Sequence, residues 1–125
     1  MTEGYPQKQY SQPIKRYCRK LDLENNPELI REYRKMHSEE YIWKEIVEGN
    51  RQVGILEMEI YITGNHLFMI VDTPLDFKWE EAMAKIATLP RQREWELFMS
   101  KFQICDPNST ADERWVMMER MFHLY

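Results

Sequence analysis

Cysteine is nearly absent. Cys18 and Cys105 are the only two, too few for a disulfide framework or a thiolate metal cluster, so both are expected as buried free thiols. Histidine is also scarce. His37, His66 and His123 stand apart and offer none of the short ligand pairs of a zinc site, so no metal is expected. No apolar run approaches the length of a membrane span, and the polar stretch 1–13 has no signal-peptide core. A reducing cytoplasm and no membrane partner are therefore expected. A basic excess is missing as well. With 17 Lys and Arg against 21 Asp and Glu, the net charge is −4, which argues against nucleic acid as partner and for a neutral ligand. Neither a glycine-rich phosphate loop nor a nucleophile elbow occurs. These absences trim the enzyme menu toward unassisted proton transfer.

What is present can build one core. Hydrophobic residues make up 43% and aromatics 13% of the 125 residues, the composition of a single packed domain. The polar character of residues 1–13 marks them as a flexible tail, and the domain is expected over 14–125.

Residues 15–23 alternate in character, with Tyr17, Leu21 and Leu23 on one parity and Cys18 and Asp22 on the other, the pattern of a first strand. Asn26-Pro27-Glu28 is a helix start. Leu29, Ile30, Tyr33, Met36, His37 and Tyr41 then recur at three- and four-residue spacings along one helix face, with Gly49-Asn50 as its exit. Residues 54–62 alternate strictly, Thr63-Gly64-Asn65 is turn chemistry, and 66–71 is a second apolar run, so the pair reads as a hairpin. Helices are expected over 76–86 and 90–102. Periodicity leaves 114–124 open between helix and strand, and a terminal strand is the favoured reading. The order is an α+β, ferredoxin-like βαββαβ protomer. Helices cover one sheet face, and a sheet-to-sheet homodimer would cover the other.

Tyr33 and His37 lie one helical turn apart, which lets a phenol and an imidazole line one pocket. Histidine both donates and accepts a proton near neutral pH, yet the same position suits a hydrogen-bonded core histidine. Arg91, Arg93 and Trp95 gather at a helix start, where an indole face and guanidinium donors suit a sugar ring. A solvated charged face beside one core tryptophan is the other reading. Trp43, Glu45 and His66 are weaker candidates.

Several separated segments carry a resemblance: Lys15-Arg16-Tyr17-Cys18, Glu32-Tyr33 through His37, Trp43-Lys44-Glu45, Gly54 through Tyr61, Asn65 through Val71, Leu89-Pro90-Arg91-Gln92 with Glu94-Trp95-Glu96, and Glu119-Arg120-Met121-Phe122. In order and spacing they resemble the L-rhamnose mutarotase family, including its L-fucose mutarotase-like branch, from Ile14 to Tyr125. The resemblance implies a dimeric α+β barrel type of protomer that exchanges the anomers of a deoxyhexose without cofactor or metal. It places the family's proton-donating histidine on His37, its substrate-contacting tyrosine on Tyr33 and the second of its paired tryptophans on Trp95. Three positions depart: Lys44 stands where the family has proline between Trp43 and Glu45, Met58 where the rhamnose branch has a substrate-binding tyrosine, and Glu94 where the first paired tryptophan belongs. The changes at Met58 and Glu94 lean toward fucose or a related sugar. Two alternatives follow from the same residues: a non-catalytic sugar-binding protein on this scaffold, and a monooxygenase-like enzyme, since fold does not imply function.

Overall fold

A computed structural model describes residues 2–125. Its four strands are β1 (Ile14–Asp22), β2 (Glu57–Thr63), β3 (His66–Pro74) and β4 (Val116–Met118). They form one antiparallel sheet in the order β2-β3-β1-β4. The helices among the described residues are α1 (Pro27–Met36), α2 (Lys44–Gln52), α3 (Trp79–Ile86), α4 (Gln92–Met99) and the single turn α5 (Ala111–Arg114). This strand order, with helical crossovers before β2 and after β3, is the expected ferredoxin-like plan. Among the described residues no helix is long and apolar enough to cross a membrane.

Local chemistry explains several of the boundaries. Asn26 caps α1, its side-chain oxygen accepting from the backbone N–H groups of Glu28 and Leu29, with Pro27 at the first helical position. The helix expected to run on to Tyr41 stops at Met36. The Ser38 hydroxyl donates to the Lys35 carbonyl, and the Tyr41 and Ile42 amides both turn back to Ser38 O. Local side-chain bonding of this kind competes with helix propagation. The chain restarts as α2, so Gly49 and Asn50 are helical residues and not an exit. Gly49 serves packing: a Cβ there would stand 3.3 Å from Leu89 Cδ1. Gly54, at φ +100°, makes the turn out of α2, and β2 accordingly begins at Glu57, three residues after the expected strand start.

Leu23, Leu67, Val71 and Phe102 are all but fully enclosed between the sheet and the helices. The expected terminal strand holds only partly. Its first residue belongs to α5, which a Thr110/Glu113 capping box opens; three residues then pair with β1 as β4, and 119–125 form neither helix nor strand. Periodicity could not choose because both structures occur in that stretch. The two cysteines are free and half-buried.

On the outer sheet face Asp72 is 1% exposed and pairs with Arg16 at 2.7 Å, which holds its carboxyl below the usual range. Residues 2–13 form no helix or strand but run along this face. Tyr10 donates to Asp72 at 2.8 Å, Lys8 to the Leu56 carbonyl and Gln7 to Glu59, while Tyr5 meets the Tyr61 ring edge-on at 5.7 Å.

Candidate functional site

A cavity of about 450 Å³ opens between the inner sheet face and the helices, within the size range of small-molecule sites. Two groups of side chains line it.

The first group is aromatic. Tyr33, on the buried face of α1, and His37, the residue that closes α1, have ring centroids 4.3 Å apart. Trp95, on the inner face of α4, meets His37 edge-on at 5.4 Å. Trp43, at the start of α2, backs Trp95 at 5.0 Å and stacks on Phe98 at 5.8 Å. These rings lock one another's orientation.

His37 Nδ1 lies 2.8 Å from the Tyr33 carbonyl. A carbonyl only accepts, so Nδ1 carries the hydrogen and Nε2 keeps its lone pair. Burial pulls the imidazole's pKa below its ordinary value of 6.5, against the opposing pull of that carbonyl, so the ring is neutral at pH 7. The Tyr33 hydroxyl accepts from Gln103 Nε2 at 3.2 Å, and burial raises its pKa to about 12. It therefore remains a phenol whose own hydrogen is free to be donated.

The second group is polar. Arg19, on the inner face of β1, is 5% exposed. Its Nη2 donates to both Oδ1 and the carbonyl of Asp112 and to the carbonyl of Trp115, and its guanidinium lies 4.9 Å over the Trp79 ring. Trp79 Nε1 donates to the same Asp112 oxygen at 3.0 Å. Behind them, buried Arg114 binds the carbonyls of Glu96, Pro107 and Ser109, the Ser109 hydroxyl and Gln103 Oε1. Gln103 thus links the polar group to the Tyr33 hydroxyl.

Of the side chains expected at a site, His37, Tyr33, Trp95 and Met58 line this cavity. Arg91, Glu45 and Arg93 do not. Arg91 lies across the Trp43 ring at 3.9 Å, with Glu45 and Glu94 at 3.6 and 3.5 Å. Arg93 is engaged with Glu96 and the carbonyls of Pro107 and Ser109. His66 is on the outer sheet face, 2.8 Å from Asp22. Sequence reasoning passed over Arg19, Trp79, Gln103, Asp112 and Trp115. For Arg19 a signal existed: it shares the apolar parity of Tyr17 and Leu21, and a charge on the buried side of a strand calls for a reason.

The family model described as L-rhamnose mutarotase matches residues 16–124. A UPF0734 protein of Dictyostelium discoideum is 39% identical, covering 88% of this chain and 90% of its own. An L-fucose mutarotase of Xanthomonas campestris pv. campestris is 34% identical over 89% of both chains. The crystal structure of an L-rhamnose mutarotase from Formosa agariphila shares the fold, with a TM-score of 0.64 at 20% identity over 89% of this chain and 99% of that one. The family match spans nearly the whole domain that encloses the cavity, and the chain belongs to the L-rhamnose mutarotase family.

Proposed function

We propose that this chain interconverts the α and β anomers of a deoxyhexose in the cavity between sheet and helices, with His37 as its proton carrier. One observation carries the assignment: Nδ1 is committed to the Tyr33 carbonyl, which leaves Nε2 a neutral base on a ring that lines the cavity. Nε2 takes the proton of the anomeric hydroxyl as the bond from C1 to the ring oxygen breaks. It then returns that proton to the ring oxygen, giving the open aldehyde. Rotation about the C1–C2 bond presents the other carbonyl face, and the same two transfers in reverse close the ring. One imidazole suffices because both oxygens are bonded to the same carbon. The Tyr33 hydroxyl donates a hydrogen bond to the oxygen on which charge develops, and the Trp95 indole meets the C–H face of the sugar.

L-Fucose is the favoured sugar. Met58 stands where the resemblance implies a tyrosine in the rhamnose branch, and the relative named L-fucose mutarotase aligns over 89% of both chains.

Saturation-transfer NMR between the anomeric proton signals of L-fucose and L-rhamnose tests this directly. His37→Gln is expected to reduce exchange by roughly 10²–10⁴-fold while melting near the wild-type temperature. Exchange at the wild-type rate in that variant would sink the assignment, and saturable binding without acceleration by wild-type protein would support a binding protein instead.

A second copy of the chain is the proposed partner of the C-terminal stretch. Met121, Phe122, Leu124 and Tyr125 are at least 69% exposed, an apolar run that favours cover by protein. Sedimentation equilibrium showing only monomer at micromolar concentration would remove this proposal.

A further inference from the structure

Arg19 is a charged residue in a place where charge is costly. It is 5% exposed on the core-facing side of β1, and Asp112 is its one carboxylate partner. A buried guanidinium with five N–H donors is stable when those donors are used. Here Nη2 alone serves Asp112 and Trp115. Nε is buried with no acceptor, the only such side-chain atom among the described residues. Nη1 has no protein acceptor either, it is not among the enclosed unpaired atoms, and Arg19 is one of the residues that line the cavity. The Trp79 ring under the guanidinium and the Asp112 carboxylate on its Nη2 side fix its orientation.

We infer that Arg19 is a specificity-determining residue that donates from Nη1 to a hydroxyl oxygen of the sugar, on the polar side of the cavity. This rests on the anomer-exchange reading above. The acceptor is a neutral hydroxyl and not a carboxylate, because Asp112 already balances the guanidinium charge at 2.9 Å and an added anion would leave the pair with a net negative charge. The contact is equal in the closed and open forms of the sugar, since a hydroxyl remote from C1 takes no part in ring opening. Its loss therefore weakens substrate binding without slowing the chemical step.

The test uses the full chain, wild type and two variants, Arg19→Met and Arg19→Lys. Anomer exchange is measured on L-fucose and on its 2-, 3- and 4-deoxy analogues. Arg19→Lys keeps a cation for Asp112 but lacks the planar fork needed to serve Asp112 and the cavity together, so it answers the question even if Arg19→Met fails to fold. Expected is a KM for L-fucose raised about tenfold or more in the variant, from the loss of a charged hydrogen bond, with kcat within about threefold of wild type. One deoxy analogue is expected to show the same weakened KM with wild type and variant, which identifies the hydroxyl that Arg19 reads. An unchanged KM for L-fucose in Arg19→Lys overturns the inference, as does an equal loss on all four sugars. If wild type accelerates none of them, the catalytic reading fails, and the same panel is then followed by tryptophan fluorescence titration. A variant that loses binding to every sugar but one would uphold the role of Arg19 as a reader of that hydroxyl, and wild type that binds none would overturn it.

Discussion

The two sides of the cavity are built on different physics. Around His37 the walls are rings in mutual contact, at centroid separations of 4.3 to 5.4 Å, drawn from α1, α2 and α4. Around Arg19 the wall is a hydrogen-bond network that joins β1 to α3, α5 and the 104–110 loop. Dispersion and edge-to-face contacts tolerate small shifts and leave the imidazole's Nε2 free. A guanidinium network has no such tolerance, because each unmet donor or carbonyl in a dry interior costs free energy. The aromatic side is therefore suited to chemistry, and the polar side to holding a fixed array of donors.

This contrast is broken most directly at Arg114. Its five bonds to Glu96, Gln103, Pro107 and Ser109 close the loop under the polar side, and Arg114→Met removes all five and leaves the buried Gln103 Oε1 without a donor. The expected loss is about 3 kcal/mol or more, a fall in Tm of roughly 10 °C for a domain of this size. Thermal melts of Arg114→Met beside His37→Gln make the comparison. Should the arginine variant melt no lower than the histidine variant, the polar side is not what ties the loop down.

The same contrast decided what could be read from the sequence. Tyr33, His37 and Trp95 were legible because helix periodicity sets i and i+4 on one face and because the family resemblance marks them. The strand order followed from the hairpin at Gly64 and from alternation in β2. What escaped depends on contacts between residues distant along the chain. Arg19 meets Asp112 across 93 positions, and Tyr33 meets Gln103 across 70; no local pattern encodes either. The break after Met36 escaped because Met36, His37 and Tyr41 keep helical spacing through a segment that the Ser38 side chain diverts. Arg91 and Arg93 were expected to hold sugar on the strength of residue type alone. Their side chains face the outside of Trp43 and the 104–110 loop instead.

Changing pH sharpens the contrast on the aromatic side. Burial lowers the pKa of His37, so in the free protein the imidazole stays a base below its ordinary value of 6.5. The acid limb of kcat/KM, which reports the free enzyme, is expected below pH 6.5. Stability has a matching sign. Above pH 6.5 the ring is neutral in both folded and unfolded chains, and its contribution is complete. As pH falls below 6.5 the unfolded chain takes up a proton first, and that contribution is lost. His37→Gln should remove this component of the pH dependence of Tm between pH 7 and 5. An acid limb above pH 6.5 would mean that the ring is more solvated, or nearer a carboxylate, than its packing against Tyr33 and Trp95 implies.

The smallest effect is expected at Arg91, on the outer side of the aromatic wall. Its backbone is in the left-handed region at φ 64°, a strain of about 1 kcal/mol for a residue with a Cβ. Arg91→Gly relieves that strain but loses the cation–π contact with Trp43 at 3.9 Å, worth about 0.5–1 kcal/mol at an exposed position. Glycine also adds freedom to the unfolded chain. These terms nearly cancel, so Tm should move by no more than about 3 °C. Because the side chain does not line the cavity, KM for the sugar should stay within about twofold of wild type. A several-fold rise in KM at unchanged Tm would place the Arg91 guanidinium on the bound sugar. The aromatic side would then reach outward past Trp43, and the division between a catalytic wall of rings and a single donor-bearing wall at Arg19 would no longer hold.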